Sequence, residues 1–227
     1  MHLPPGEAGA KRVALTFDAC TGKADERILN ALVENQIKST VFVTARWLRR
    51  NPTAIATIKA HAELFEIENH GARHLPAIDE PKRIFGLSPA GSPDGVRKEV
   101  RDGATAVMTA FGYQPKWYRG AAAIYTASSM VLIKDLNFKL AGFSFSGDGG
   151  ATWSESRTEK TIAAATNDDV VIAHINQPNR PAGAGVVKGI LKLKDEGFTF
   201  VNLDEGFKTN ALAPEPPPVR APSVGPL

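Results

Sequence analysis

The chain has 227 residues, 43% of them hydrophobic and 22% charged, with 27 basic and 24 acidic side chains and a formal net charge of +3. That length and apolar content suit one large domain with a real core and exclude a disordered chain, while a single Cys excludes a disulfide framework and a Cys-rich zinc centre. No apolar stretch is long enough for a transmembrane segment, and no Lys/Arg run exceeds two, which speaks against nucleic acid as the partner.

Residues 1–10 hold no charged segment followed by an apolar one, so no signal peptide is read there; the sequence predicts a cytoplasmic protein or a processed one. Arg12–Phe17 is a short apolar strand, and Ala24–Gln36 carries Ile28, Leu29, Leu32 and Val33 at helical spacing. The β-branched run Ser39–Ala45 reads as a second strand, and Pro52 takes a first helical position before Thr53–His61. Leu64–Glu68 is a third strand. Beyond a Pro/Gly-rich loop, Val96–Phe111 is an amphipathic helix. Lys116–Arg119, Phe138–Phe143, Val170–Ala173 and Phe198–Asn202 are further strands, with helices at Ser128–Leu136 and Val186–Glu196, the last closed by Gly197. This alternation predicts an α/β fold on a parallel sheet, open or closed into a barrel. From Pro214 to Leu227 the chain is proline-rich and aperiodic, so the tail is expected to be extended and outside the fold.

Ligand sites on parallel α/β sheets gather at the C-terminal ends of the strands. Four strands here end in a group with chemistry: Asp18, Asn69-His70 with His74 beyond, Arg119 and His174. Each has a plainer account. Asp18 could be a turn former, His174 a hydrogen-bonded core residue, and Arg119 a stacking partner beside Trp117 and Tyr118. The His70/His74 pair is the most specific, since two imidazoles so spaced can meet one cation. Gly71 between them favours a loop over a helix.

These residues resemble the motifs of the polysaccharide deacetylase family, carbohydrate esterase family 4, over about residues 11–206. Thr16-Phe17-Asp18-Ala19-Cys20 stands where the family has Thr-Phe-Asp-Asp-Gly, and His70-Gly71-Ala72-Arg73-His74 matches its His-Ser/Thr-x-x-His. Tyr118-Arg119-Gly120-Ala121-Ala122, the looser Phe143–Gly150 and the apolar strand ending at His174 follow in the family's order, and Gly197–Leu203 resembles its closing stretch. The resemblance implies a distorted (β/α) barrel, here over residues 11–208 with the Pro-rich tail at 209–227. It implies a hydrolase that removes N- or O-acetyl groups from a glycan such as chito-oligosaccharide, peptidoglycan or acetylated xylan, with a divalent metal, zinc first and cobalt or nickel next. It implies a periplasmic or secreted location. By the same resemblance His70 and His74 would hold the metal, Asp18 would be the general base, Arg119 its partner and His174 the general acid. The N–H near Ala122 would face the oxyanion.

The family's second Asp of motif one, a metal ligand, is Ala19 here. Three arrangements remain open: Asp18 also binds the metal, Cys20 turns inward as a thiolate, or the metal site is weak and the protein a catalytically impaired carbohydrate-binding barrel. The first is preferred, because a decayed site would be expected to lose several residues. In motif four, Asp148 is the candidate to tune His174 and Trp153 the candidate pocket wall, against a plain flexible loop. Tyr125 is a candidate sugar-stacking residue, with plain packing an equal account. A metal-dependent amidohydrolase acting on a small non-sugar amide is the other alternative.

Overall fold

The computed structural model describes residues 1–6, 9–83 and 86–208. The elements run in chain order as β1 (Arg12–Ala19), α1 (Glu26–Glu34), β2 (Ser39–Val43), α2 (Ala45–Arg50), α3 (Pro52–Ala60), β3 (Phe65–Asn69), α4 (Pro93–Phe111) and β4 (Trp117–Tyr118). After a 3-10 turn at Ala121–Ala123 come α5 (Ala127–Asp135), β5 (Lys139–Leu140), β6 (Phe145–Ser146), α6 (Glu155–Ala163), β7 (Asp169–His174), α7 (Ala182–Asp195), β8 (Thr199–Val201) and α8 (Leu203–Phe207). The strands form one sheet in the order β5-β4-β3-β2-β1-β7-β6, with β8 beside the start of β1, and the pairings between named strands are parallel. This is the expected distorted (β/α) barrel.

Alternation along β1 explains its two sides. Val13, Leu15, Phe17 and Ala19 join the large apolar cluster with helical residues such as Ile28, Leu32, Trp47 and Val186. Ala14 belongs to a second cluster with Phe42, Trp117, Val170 and Leu203, inside the curled sheet. Leu3 is buried in that second cluster, so the first residues pack onto the barrel. The expected proline-rich tail, 209–227, lies outside the described residues.

Most predicted elements fall where the periodicity puts them, with shifted ends. Helix α4 starts at Pro93, three residues before the apolar period begins, because Ser92 caps it by accepting from the Gly95 N–H at 3.0 Å. The structure adds α2, β6, α6 and α8 to the elements read from the sequence. No described helix is long and apolar enough to cross a membrane.

Candidate active site

Strand register brings the predicted residues together. Asp18, next to last in β1, lies directly opposite His174 on β7, while Val43 pairs Asn69 and Asn69 pairs Tyr118, so His70 and Arg119 follow at the same end of the sheet.

Asp18 is 4% exposed and Arg119 is fully buried. Arg119 Nη1 donates to Asp18 Oδ1 at 3.0 Å and to the Thr16 hydroxyl at 2.9 Å. Its Nε and Nη2 donate to the Ala141 and Gly142 carbonyls, and the guanidinium lies 4.3 Å from the Phe42 ring centroid. Burial by itself would raise the Asp18 pKa, but the charges of His70, Arg119 and His174 outweigh it, so Asp18 sits below its usual range and is ionised at neutral pH.

The His70–His74 segment is a loop, as Gly71 suggests. Gly71 takes φ +84°, and its N–H donates to Asn69 Oδ1 at 2.8 Å. Glu99, projecting from α4 and 3% exposed, accepts the Arg73 and Leu75 N–H groups on one carboxylate oxygen at 2.8 and 3.1 Å. His74 itself is held at φ +64°, a left-handed conformation a non-glycine residue adopts only when its surroundings enforce it. His70 Nδ1–H donates to the Arg119 carbonyl at 2.6 Å, which leaves Nε2 free to face the site. That nitrogen stands 3.6 Å from Asp18 Oδ2 and 3.4 Å from Cys20 Sγ. Burial opposes protonation of His70, yet Asp18 and Cys20 push its pKa up to about 9.

Cys20 is 9% exposed, and its thiol faces these histidines. Burial would raise the thiol pKa. The charge of His70, with hydrogen bonds to His174, His70 and His74, brings it well below the ordinary value. Cys20, His70 and His74 offer donor atoms that all lie within 4.8 Å of one another, and among the described residues no other such trio of metal-ligating groups occurs. Two imidazole nitrogens and a sulfur are donors that zinc accepts, so the residues fit a metal of that kind. Asp18 is outside that trio, with one oxygen taken by Arg119.

His174 Nδ1 meets both Asp148 oxygens at 3.1 Å, and the backbone N–H of His174 donates to Asp148 Oδ2 at 2.7 Å. Asp148 is fully buried, and its Oδ1 also accepts the Gly150 N–H at 3.0 Å. Burial disfavours the charged imidazole, but the Asp148 contact wins and raises the His174 pKa well above its ordinary value. Segment 147–150 is thus tied to the site through Asp148. Tyr125 is largely buried, and its hydroxyl accepts the Gly120 N–H at 2.9 Å, anchoring the turn that carries Ala122 (exposed, φ +59°). Trp153 has Arg157 stacked 3.9 Å over its ring, so one of its faces is already covered. Thr16 and Glu99 are the site-building residues that sequence reasoning missed, and Asn69 was noted there only as the strand end before His70. For Glu99, a charged residue at a core-facing position of the α4 period was the available signal.

A parallel (β/α) barrel whose strand ends hold a carboxylate, clustered imidazoles and a carboxylate-backed histidine has the architecture of a hydrolase. The sequence profile of the family described as polysaccharide deacetylase matches residues 6–141, and the chain belongs to that family. It is similar to a bifunctional xylanase/deacetylase of Pseudobutyrivibrio xylanivorans, 22% identical over 90% of this chain and 32% of that protein. It is also similar to the peptidoglycan-N-acetylglucosamine deacetylase PgdA of Listeria monocytogenes, 24% identical over 86% of this chain and 38% of that one. The chain therefore spans about a third of the length of these relatives. Among solved structures, the peptidoglycan deacetylase PdaC of Bacillus subtilis superposes with a TM-score of 0.70 at 18% identity, covering 88% of this chain and 92% of that one. The carbohydrate esterase family 4 pseudoenzyme BA3943 of Bacillus anthracis gives 0.68 at 18% identity, over 88% of this chain and 66% of that one.

Proposed function

We propose that this chain removes N- or O-acetyl groups from a glycan outside the cytoplasm, with the help of a divalent metal held by His70 and His74. The observation that carries this reading is the facing pair Asp18 and His174, one paired with Arg119 and the other with Asp148, with His70 Nε2 3.6 Å from Asp18 Oδ2. A metal bound there would polarise the acetyl carbonyl and acidify water. Asp18 takes the proton of the attacking water, and Arg119 keeps its carboxylate oriented. His174, fixed through Nδ1, presents Nε2 to the leaving nitrogen or oxygen and gives it the proton it needs to depart. The Ala122 N–H, in the turn just after Arg119, would donate to the developing oxyanion.

Acetate release from chito-oligosaccharide, peptidoglycan and acetylxylan tests the proposal. At least one should release acetate with zinc or cobalt, stop with a chelator and recover on reloading. Asp18→Asn should lose turnover while keeping its metal. A folded, loaded protein that deacetylates none of these would instead be a glycan-binding barrel, a reading that Ala19 and the likeness to a pseudoenzyme favour.

A further inference from the structure

Motif one puts two side chains on opposite sides of the backbone at the end of β1. Ala19 is buried in the apolar layer with Val13, Leu15 and Phe17, and a methyl group offers a metal nothing. Cys20, one residue on, turns its sulfur to the other side, 3.4 Å from His70 Nε2. The segment is fixed: the Thr44 N–H donates to the Ala19 carbonyl at 3.2 Å, and the Thr44 hydroxyl donates to the Cys20 carbonyl. On the far side, the His70 ring is locked by its bond to the Arg119 carbonyl, with Nε2 turned toward the Cys20 sulfur. Two donors on one tetrahedral zinc, at bond lengths of 2.0–2.3 Å, stand about 3.3–3.6 Å apart. The sulfur and the His70 nitrogen already have that separation, and the His74 donor lies within 4.8 Å of both. A cysteine serving only as a small buried hydrophobe has no reason to point at two imidazoles.

We propose that Cys20 is the third protein ligand of the metal, so that the centre is a His70/His74/Cys20 set and Asp18 stays free as the base. This rests on the deacetylase reading above and adds the identity of a ligand. A thiolate ligand makes the centre selective for zinc and cobalt over magnesium, manganese and calcium, whose preferred partners are oxygens. The replacement of the carboxylate position by Ala19 then relocates the third donor without abolishing the site.

The 227-residue chain has one Cys, so any thiol signal from it reports Cys20 alone. Cobalt(II) added to the metal-free protein should bind one ion per chain and show a near-ultraviolet sulfur-to-cobalt charge-transfer band. Zinc should slow alkylation of Cys20, and magnesium or manganese should not. Cys20→Ser and Cys20→Ala, checked for folding by circular dichroism, should lose the band and bind zinc at least ~10-fold more weakly, the smaller loss already seen when only an outer partner of a ligand is removed. A wild-type cobalt complex without the band, or Cys20→Ala with unchanged zinc affinity, overturns the proposal. Metal-dependent acetate release in that case leaves the deacetylase reading standing. Failure of the wild-type protein to bind zinc or cobalt at all overturns both. An acetylated Cys20 trapped in metal-free protein overturns the ligand role in favour of a nucleophilic one.

Discussion

Arg119 spends its donors wholly inside the protein, on one carboxylate, one hydroxyl and two carbonyls. Its removal would leave Asp18 as a buried charge without its guanidinium and two carbonyls without a donor. Arg119→Ala should therefore destabilise the fold by about 3–5 kcal/mol, the cost of breaking a buried ion pair from one side. Arg119→Lys keeps a charge but cannot reproduce the fork, so its urea midpoint should fall between alanine and wild type. A midpoint equal to wild type for the alanine variant would contradict this. At this scale Asp18, His70, Arg119 and His174 were legible, because each stands at a strand end or follows one directly and the parallel register does the rest, while His74 was legible only from its spacing to His70. Cys20 was only half legible. Its distance from His70 is a property of a 50-residue crossover, and nothing in the local sequence says which way a residue just past the strand turns. The packing of Tyr125 on Gly120 was likewise open until its hydroxyl partner was known.

Helix α4 braces the His70–His74 loop. Glu99 accepts two loop N–H groups, the Val100 carbonyl accepts from Asn69 Nδ2, and Gly103 lets the helix close on the loop. A Cβ at Gly103 would stand 2.3 Å from Asn69 Oδ1 and 2.6 Å from the Gly71 carbonyl carbon. Alanine is the better helix former by about 1 kcal/mol, yet here the backbone of Gly71 has to move. Gly103→Ala should lower thermal stability by the equivalent of about 1–3 kcal/mol of overpacking and weaken zinc binding through displacement of His70 and His74. Higher stability with unchanged zinc affinity would show that the contact is slack. The α4 period was legible. Two of the four elements absent from the sequence reading have plain reasons: β6 has two residues, too few for a period, and the apolar side of α6 rests on Thr158 and Ile162 within the charged stretch ESRTEKTIA. Both exist because β7 and α7 pack against them, which is tertiary information.

Across the whole molecule, the site occupies the last residues of β1, β3 and β7, while the first turn of α8 closes on the early residues of β2 and β3. The Leu203 N–H donates to the Thr40 hydroxyl and the Asp204 N–H to Glu66 Oε2. Glu68, 2% exposed, accepts the Lys116 and Trp117 N–H groups on one oxygen. Burial is the leading cause that raises these two carboxyls, Glu66 to about 7 and Glu68 to about 8, against the neighbouring N–H groups that favour the ions. A carboxyl raised on folding keeps its proton in the native state after the unfolded chain has lost it. Stability from these two is thus full below about pH 4.5 and drains as pH rises toward 7–8, at up to about 1.4 kcal/mol per pH unit for each such proton. The histidines add a drain of the same sign, but only above about pH 6.5, where the unfolded imidazole begins to lose its proton. Asp18, lowered on folding, contributes its own pH dependence only at and below its ordinary range. Cys20, lowered on folding, adds a contribution of the opposite sign wherever the native thiol has lost its proton and the unfolded one has not, so between about pH 5 and 6.5 the glutamates are read by difference against their glutamine variants. Glu68→Gln, which keeps an oxygen for the Lys116 and Trp117 N–H groups, should shift the pH slope of the unfolding free energy, measured by urea titration in that window, upward by about 1.4 kcal/mol per pH unit relative to wild type. Glutamine variants with the wild-type slope would place the titrating groups elsewhere. The acetate-release profile of the proposed activity is then compared between wild type and Glu68→Gln: a feature above pH 6.5 shared by both belongs to the strand ends, and one that moves with Glu68 belongs to the β3 carboxyls and the fold they hold.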